Sequence, residues 1–267
     1  MFVRYAFTRS LLAESLKLKG TPILWLVLSG GVFIAGFIFL LHFFNVEKFT
    51  EQARNPWDLY FELSFMMTAM LFLVPYIVLI AGAVVYPEHN GNAWKQLYSL
   101  PIRRGNIYFS KLLTILGLIA LTYLIFFVIG LIGAYLLDFI FPAFGFRKYP
   151  PDIGGYALRL LHSYIAILGI LGLHYWFSVR WSSFILPMGI GLLGFIIAIF
   201  VIFIGNRFDL GTYFPYTYPM VVGAEFGNKP LGLEKMAGLL TVEWGSIGLF
   251  IVSSLVGFYE EKLKNVK

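Results

Sequence analysis

Six separate stretches of this chain are long and apolar enough to cross the hydrocarbon core of a bilayer as helices of about 20 residues. They fall at residues 22–44, 63–86, 112–140, 157–178, 184–205 and 239–259. In lipid every backbone N–H and C=O must find its partner inside the protein, and a single run of that length does so only as a helix. The expected fold is therefore all-α and integral to a membrane, with six transmembrane helices. Composition could have refuted this and does not: 59% of residues are hydrophobic and only 13% are charged, about half the usual share of a soluble domain, with a mean hydropathy of +0.81. The absence of cysteine excludes a disulfide framework and thiolate metal sites. Met1 to Gly20 carries Arg4, Arg9, Glu14, Lys17 and Lys19 with no apolar core, and so does not read as a cleavable signal.

Orientation follows from where the basic residues fall. An even number of spans puts both termini on one side. With the N-terminus inside, segments 1–21, 87–111, 179–183 and 259–267 are cytoplasmic and hold twelve of the 20 Lys and Arg. The remaining eight are spread over longer loops, which favours N-in, C-in. Net charge of +6 is then a membrane-orientation signal and implies no nucleic acid. The chain reads as one domain, 1–267.

Two flanking segments are unusual. In "RSLLAESLKLKGTP" (Arg9 to Pro22) a helix stopped by Gly20 and Pro22 is expected, with Leu12 and Leu16 on one stripe, Leu11 and Leu18 on another, and Arg9, Glu14 and Lys17 between them. Such a helix suits the inner leaflet, where Lys17 can snorkel, although it could serve only as a basic flank of the first span. In 206–238, "GTYFPYTYPMVVGAEFG" is too proline-broken for a span and too apolar for a solvated loop. It reads as a re-entrant or interfacial helical pair, or as an aromatic girdle at the interface.

The polar stretch "EHNGNAWKQLYSLPIRRGNIYFSK" (Glu88 to Lys111) lies on the cytoplasmic side under this topology. Trp94, Leu97, Tyr98 and Pro101 fall at helical spacing, Asn92 can cap the helix and Pro101 ends it. One short helix with a single apolar stripe results. Periodicity alone leaves two uses for it, docking into a groove of a soluble partner or lying on the membrane surface.

At this point the residues resemble a family. "YPEHNGNAWKQLYSLPIRRGNIYFSKLL" (Tyr86 to Leu113) is similar to the first cytoplasmic loop of ABC transporter permeases of the type-2 exporter class, at Glu88, Trp94 to Leu97, Ser99, Leu100, Pro101, Arg103, Arg104 and Lys111. "AESLKLKGT" (Ala13 to Thr21) looks like the Glu-x-x-Lys helix that leads into their first span. "HYWFSVRWSSFILPMGIGLLG" (His174 to Gly194) resembles the fourth-to-fifth span turn of bacterial lantibiotic-immunity permeases, and "YFPYTYP" (Tyr213 to Pro219) the stretch before their last span. Asn92-Ala93 stands where that family often has Gly-Thr.

The resemblance implies a six-span half-transporter in a bacterial cytoplasmic (inner) membrane, acting as a homodimer or with a second permease subunit. A separate ABC ATP-binding subunit would drive it and carry the ATP and Mg; the chain itself has no phosphate loop. Trp94, Leu97, Tyr98 and Pro101 would be the anchors in the ATPase, with Glu88, Lys95, Arg103 and Arg104 setting register by charge at the rim. An amphipathic or hydrophobic substrate, peptide, drug or lipid, would be exported.

A secondary transporter is the alternative, though the two three-span halves share no evident pattern. A membrane-embedded enzyme is weaker still, because H-E-x-x-H and G-x-S-x-G are both missing. His42, His162 and His174 fall near span ends, as do Asp138 and Glu243, where they read as end-of-helix polar groups. Gly189, Gly191 and Gly194 read as a close-packing stripe on span five.

Overall fold

The computed structural model describes residues 6–51, 54–99, 101–205, 207–227 and 238–263. Among them there are helices and turns and no strand. Helix α1 (Ala6–Lys17) ends at Gly20, whose φ of 78° only a glycine adopts readily, and Pro22 opens α2 (Pro22–Phe43), the first span. After the short α3 (Val46–Thr50), the second span is built from α4 (Pro56–Met67), one π-helical turn (Thr68–Phe72) and α5 (Leu73–Val85). The widened turn sits just ahead of Pro75, which has no N–H to offer the preceding turn, so the distortion has a cause in the sequence.

A 3₁₀ segment (Tyr86–Asn92) leads into α6 (Ala93–Ser99), and α7 (Arg104–Ile140) is the third span. α8 (Ile153–Arg180), α9 (Ile185–Ile199) with a terminal π turn (Phe200–Ile204), and α12 (Thr241–Leu263) are the fourth to sixth. Between the last two lie α10 (Phe208–Gly211), a 3₁₀ turn (Pro215–Thr217) and α11 (Tyr218–Gly227). All six expected spans are therefore present as helices long and apolar enough to cross a membrane.

Two boundaries differ most from expectation. The second span begins at Pro56 instead of 63, and α7 begins at Arg104 instead of 112. Apolar content reports the bilayer and not the helix. At 1.5 Å per residue the 37 residues of α7 extend about 55 Å, well beyond a hydrocarbon core of about 30 Å. Lys111 is consequently two turns inside the helix.

Spans pair by close approach. Gly31 lets α2 sit against Ile125 and the Thr122 carbonyl of α7, while Gly169 and Gly172 bring α8 onto Leu249 and Phe250 of α12. The second span lies between the pairs, 67% buried against 28% for the first and fifth, which lie at the periphery. At one end a rigid aromatic cap forms: Trp57 Nε1 donates to the carbonyls of Phe146 (2.8 Å) and Tyr149 (3.0 Å), and Asp138 accepts from the Phe146 amide (2.8 Å). Segment 208–227 packs inward there. Buried Tyr216 lies against Gly194, nine residues into α9, and its hydroxyl meets His174 Nε2 at 2.9 Å. Residues 228–237 of the 206–238 segment lie outside the described residues.

Candidate functional site at the α1 end

The opposite end of the bundle gathers α1, the 3₁₀ segment, α6 and the first turns of α7. Ser10 and Glu14 of α1, with Leu18 just past its end, are spaced four apart and buried on the side of α7, while Arg9, Leu12 and Leu16 are exposed. Spacing thus turns Glu14 inward. Its carboxylate takes Lys17 Nζ on one oxygen (2.6 Å) and Lys111 Nζ on the other (2.6 Å). Glu88 Oε1 receives the same two ammonium groups, at 2.9 Å from Lys17 and 2.7 Å from Lys111. Two carboxylates and two ammoniums close into a neutral quartet joining α1, the end of the second span and the third span.

Neutrality is what makes the burial tolerable. Lys111 is 1% exposed and both glutamates are 6% exposed, and an ion taken from water alone costs several kcal/mol. Burial pushes the Glu14 carboxyl up, but Lys111 and Lys17 outweigh it and leave the group below the ordinary carboxylate value. Burial likewise lowers Lys17, and Glu14 and Glu88 outweigh that, holding the ammonium above its ordinary value.

The loop is tied on its other side as well. His89 Nε2 lies 2.8 Å from the Ser178 carbonyl at the end of α8, and Trp94 Nε1 donates to His89 Nδ1 at 3.2 Å. Beyond α6, Arg104 Nη1 donates to the carbonyls of Glu261 and Lys262, both at 3.2 Å, in the last turn of α12. A cation there faces the negative end of the helix dipole. Arg180 pairs with Glu260, which also accepts from Trp176 Nε1 at 2.9 Å.

The expected coupling residues therefore divide. Glu14 and Lys17 do share a helix, and their charges meet Glu88 and Lys111, with Glu14 buried and Lys17 also open to the surroundings. Glu88, expected at a rim, is buried in the quartet. Trp94, expected to anchor a partner, is half-buried against the protein's own core, because an indole that can reach both apolar neighbours and a nitrogen acceptor gains more there than in water. Arg104 is committed to α12. Leu97 is half-buried, and Gln96, Ser99, Pro101 and Arg103 are exposed. Lys95 and Tyr98 belong to α6, but their side chains lie outside the described residues, as does Leu100.

Lys111 and His89 were missed as site residues. A lysine inside an otherwise apolar helix was the available signal, since such a charge demands a counter-charge. Sequence reasoning also missed that His162 Nδ1 meets Glu243 at 2.7 Å, both buried; they tie α8 to α12 instead of ending helices separately. Among the described residues no group of His, Cys, Asp and Glu is arranged to hold a metal.

Among curated proteins, no sequence matches the chain. The family model described as ABC-2 family transporter protein matches residues 10–199, a stretch that includes most of α1, the quartet, α6, the first four spans and α9. The chain is a multi-pass membrane protein, a transport component, and it belongs to the ABC-2 family of transporter proteins.

Proposed function

We propose that this chain is the permease subunit of an ATP-driven exporter, with the α1 end in the cytoplasm and a separate ATP-binding subunit docked on α6. The observation that carries the proposal is the quartet. A short helix that receives force from a soluble partner must be backed by something stiff, and Glu88, five residues before Ala93, is held by charge to α1 and α7 at once. Among the described residues, the exposed surface available to a partner is made of Gln96, Ser99, Pro101 and Arg103, with Leu97 at its edge. Closure of the ATPase would push this surface, and the quartet would pass the displacement to α1 and the third span together.

The functional unit is a dimer in a bacterial inner membrane. The substrate class is amphipathic or hydrophobic, able to enter sideways from the bilayer. Exposed Leu12 and Leu16 on α1 support a position of that helix along the inner leaflet.

The test is co-purification of the ATP-binding subunit with the tagged chain from a detergent extract. Arg103→Glu combined with Gln96→Glu is expected to lose the partner while the chain still inserts and melts as wild type. Full retention of the partner by that double variant, or a wild-type chain that exports without any ATPase attached, refutes the proposal.

A further inference from the structure

The ion pairs of the quartet join only α1, the end of the second span and α7. Glu88 and Lys111 hold α1 and the pair α2–α7, yet the most extensive helix contact in the molecule is between α8 and α12, on the other side of the second span. We infer that His89 and Arg104 are positioning residues that hand the motion of α6 to the α8–α12 pair by capping the C-terminal ends of both helices. The inference rests on the coupling role proposed for α6.

Three observations carry it. First, the two residues bracket α6, and each reaches carbonyls in a final helical turn: His89 the Ser178 carbonyl of α8, Arg104 the Glu261 and Lys262 carbonyls of α12. In the last turn of α8 a carbonyl lacks the N–H four residues on, so His89 supplies a hydrogen bond that the helix cannot make itself, and Arg104 adds donors to two carbonyls in the last described turn of α12. Second, the chemistry at His89 fixes its proton. A carbonyl only accepts, so Nε2 carries the hydrogen; an indole N–H only donates, so Nδ1 presents its lone pair to Trp94. One neutral imidazole thus joins α6 to α8 in a single line, Trp94 to His89 to Ser178. Third, α8 and α12 are suited to move as one body, because Gly169 and Gly172 seat α12 against α8 and Ser246 Oγ bridges to the Ile165 and Ala166 carbonyls at 2.8 and 2.9 Å. Consecutive residues, Glu88 and His89, therefore face the two halves of the bundle.

The test uses the complete transporter in proteoliposomes, reading ATP hydrolysis and transport together. His89→Ala is expected to keep the ATP-binding subunit and its hydrolysis while transport per ATP falls about tenfold, as the loss of two hydrogen bonds implies. His89→Gln is expected to restore coupling, since its amide can donate to Ser178 and accept from Trp94. An unchanged transport-to-hydrolysis ratio in His89→Ala, or no recovery in His89→Gln, overturns the inference.

A second measurement needs no partner. The chain has no cysteine, so spin labels at Gln96→Cys and Tyr259→Cys report the α6–α12 distance alone. The distance distribution is expected to be narrow and to broaden in His89→Ala and, less, in Trp94→Phe. An identical distribution in all three overturns the inference. If the labels behave as expected but the wild-type chain retains no ATPase, the coupling role of α6 fails and the tie between α6 and the pair stands.

Discussion

Replacing Lys111 by Met keeps the stem and removes only the ammonium, which is the sharpest way to ask whether the quartet holds this end of the bundle together. In the wild type Lys111 Nζ contacts Glu14 at 2.6 Å and Glu88 at 2.7 Å while 1% exposed. Without it, two buried carboxylates share Lys17 alone, and the cluster goes from neutral to a net single negative charge. Breaking a buried pair costs about 3–5 kcal/mol. Lys17, whose side chain is 43% exposed, draws partly on solvent to screen the excess, so the lower end, about 3 kcal/mol, is expected. For a chain of this size that lowers the melting midpoint by about 6 °C or more. The double variant Lys111→Met with Glu14→Gln restores neutrality, leaving Lys17 with Glu88, and should recover about 1–3 kcal/mol of the loss. Intrinsic tryptophan fluorescence followed through thermal unfolding in detergent micelles reads both. A Lys111→Met protein that melts with the wild type, or a double variant that melts below Lys111→Met, would falsify the reasoning.

Acid should loosen the same site. Because Glu14 lies below its ordinary value of 4.5 in the folded chain, its contribution is complete above that pH and is lost as pH falls through the folded value. Lys17 is held above 10.5, so its contribution is complete below that pH and lost only above it. The melting difference between wild type and Glu14→Gln is thus expected to be constant from about pH 5 to 10 and to shrink in more acidic buffer; a constant difference down to pH 3 contradicts this. On α9, a Cβ at Gly194 would lie 2.7 Å from the Tyr216 ring, whereas one at Gly189 meets nothing within 4 Å. Gly194→Val should displace Tyr216 from His174 and cost about 1–3 kcal/mol, with Gly189→Val close to neutral; equal melting of the two variants would show that segment 208–227 does not pack on α9 as described.

The spans were legible because the bilayer imposes a length, and a run of apolar residues reports it directly. Helix ends were less so, for Asp58 and Glu62 look like loop while belonging to α4, and Arg104 looks like a turn while opening α7. The position and length of α6 followed from Asn92, Pro101 and the spacing between them. Its orientation did not. An apolar stripe says that a helix has a face to bury, and nothing local says whether the burying surface is another protein, lipid or the chain's own core; for Trp94 it is the core and His89. The quartet was invisible for a different reason. Its long-range contacts join residues 71 and 97 positions apart, and no pattern in one sequence encodes that meeting, although each charge in an apolar setting announced that some partner existed.

Why the contact should be ionic follows from what apolar packing cannot do. Of the three buried residues on the face that meets α7, Ser10, Glu14 and Leu18, only Leu18 is apolar, so hydrophobic burial alone does little to hold α1 against a slide of one turn, about 5.4 Å. The same slide carries Glu14 out of reach of Lys111 and Lys17 out of reach of Glu88, because contacts of 2.6 and 2.9 Å do not survive it. Charge therefore sets the register that hydrophobic burial leaves free, at little net gain in stability over an apolar substitute. On the coupling proposed above, α1 moves with the second and third spans and not along them, and that motion needs this kind of restraint more than it needs additional burial.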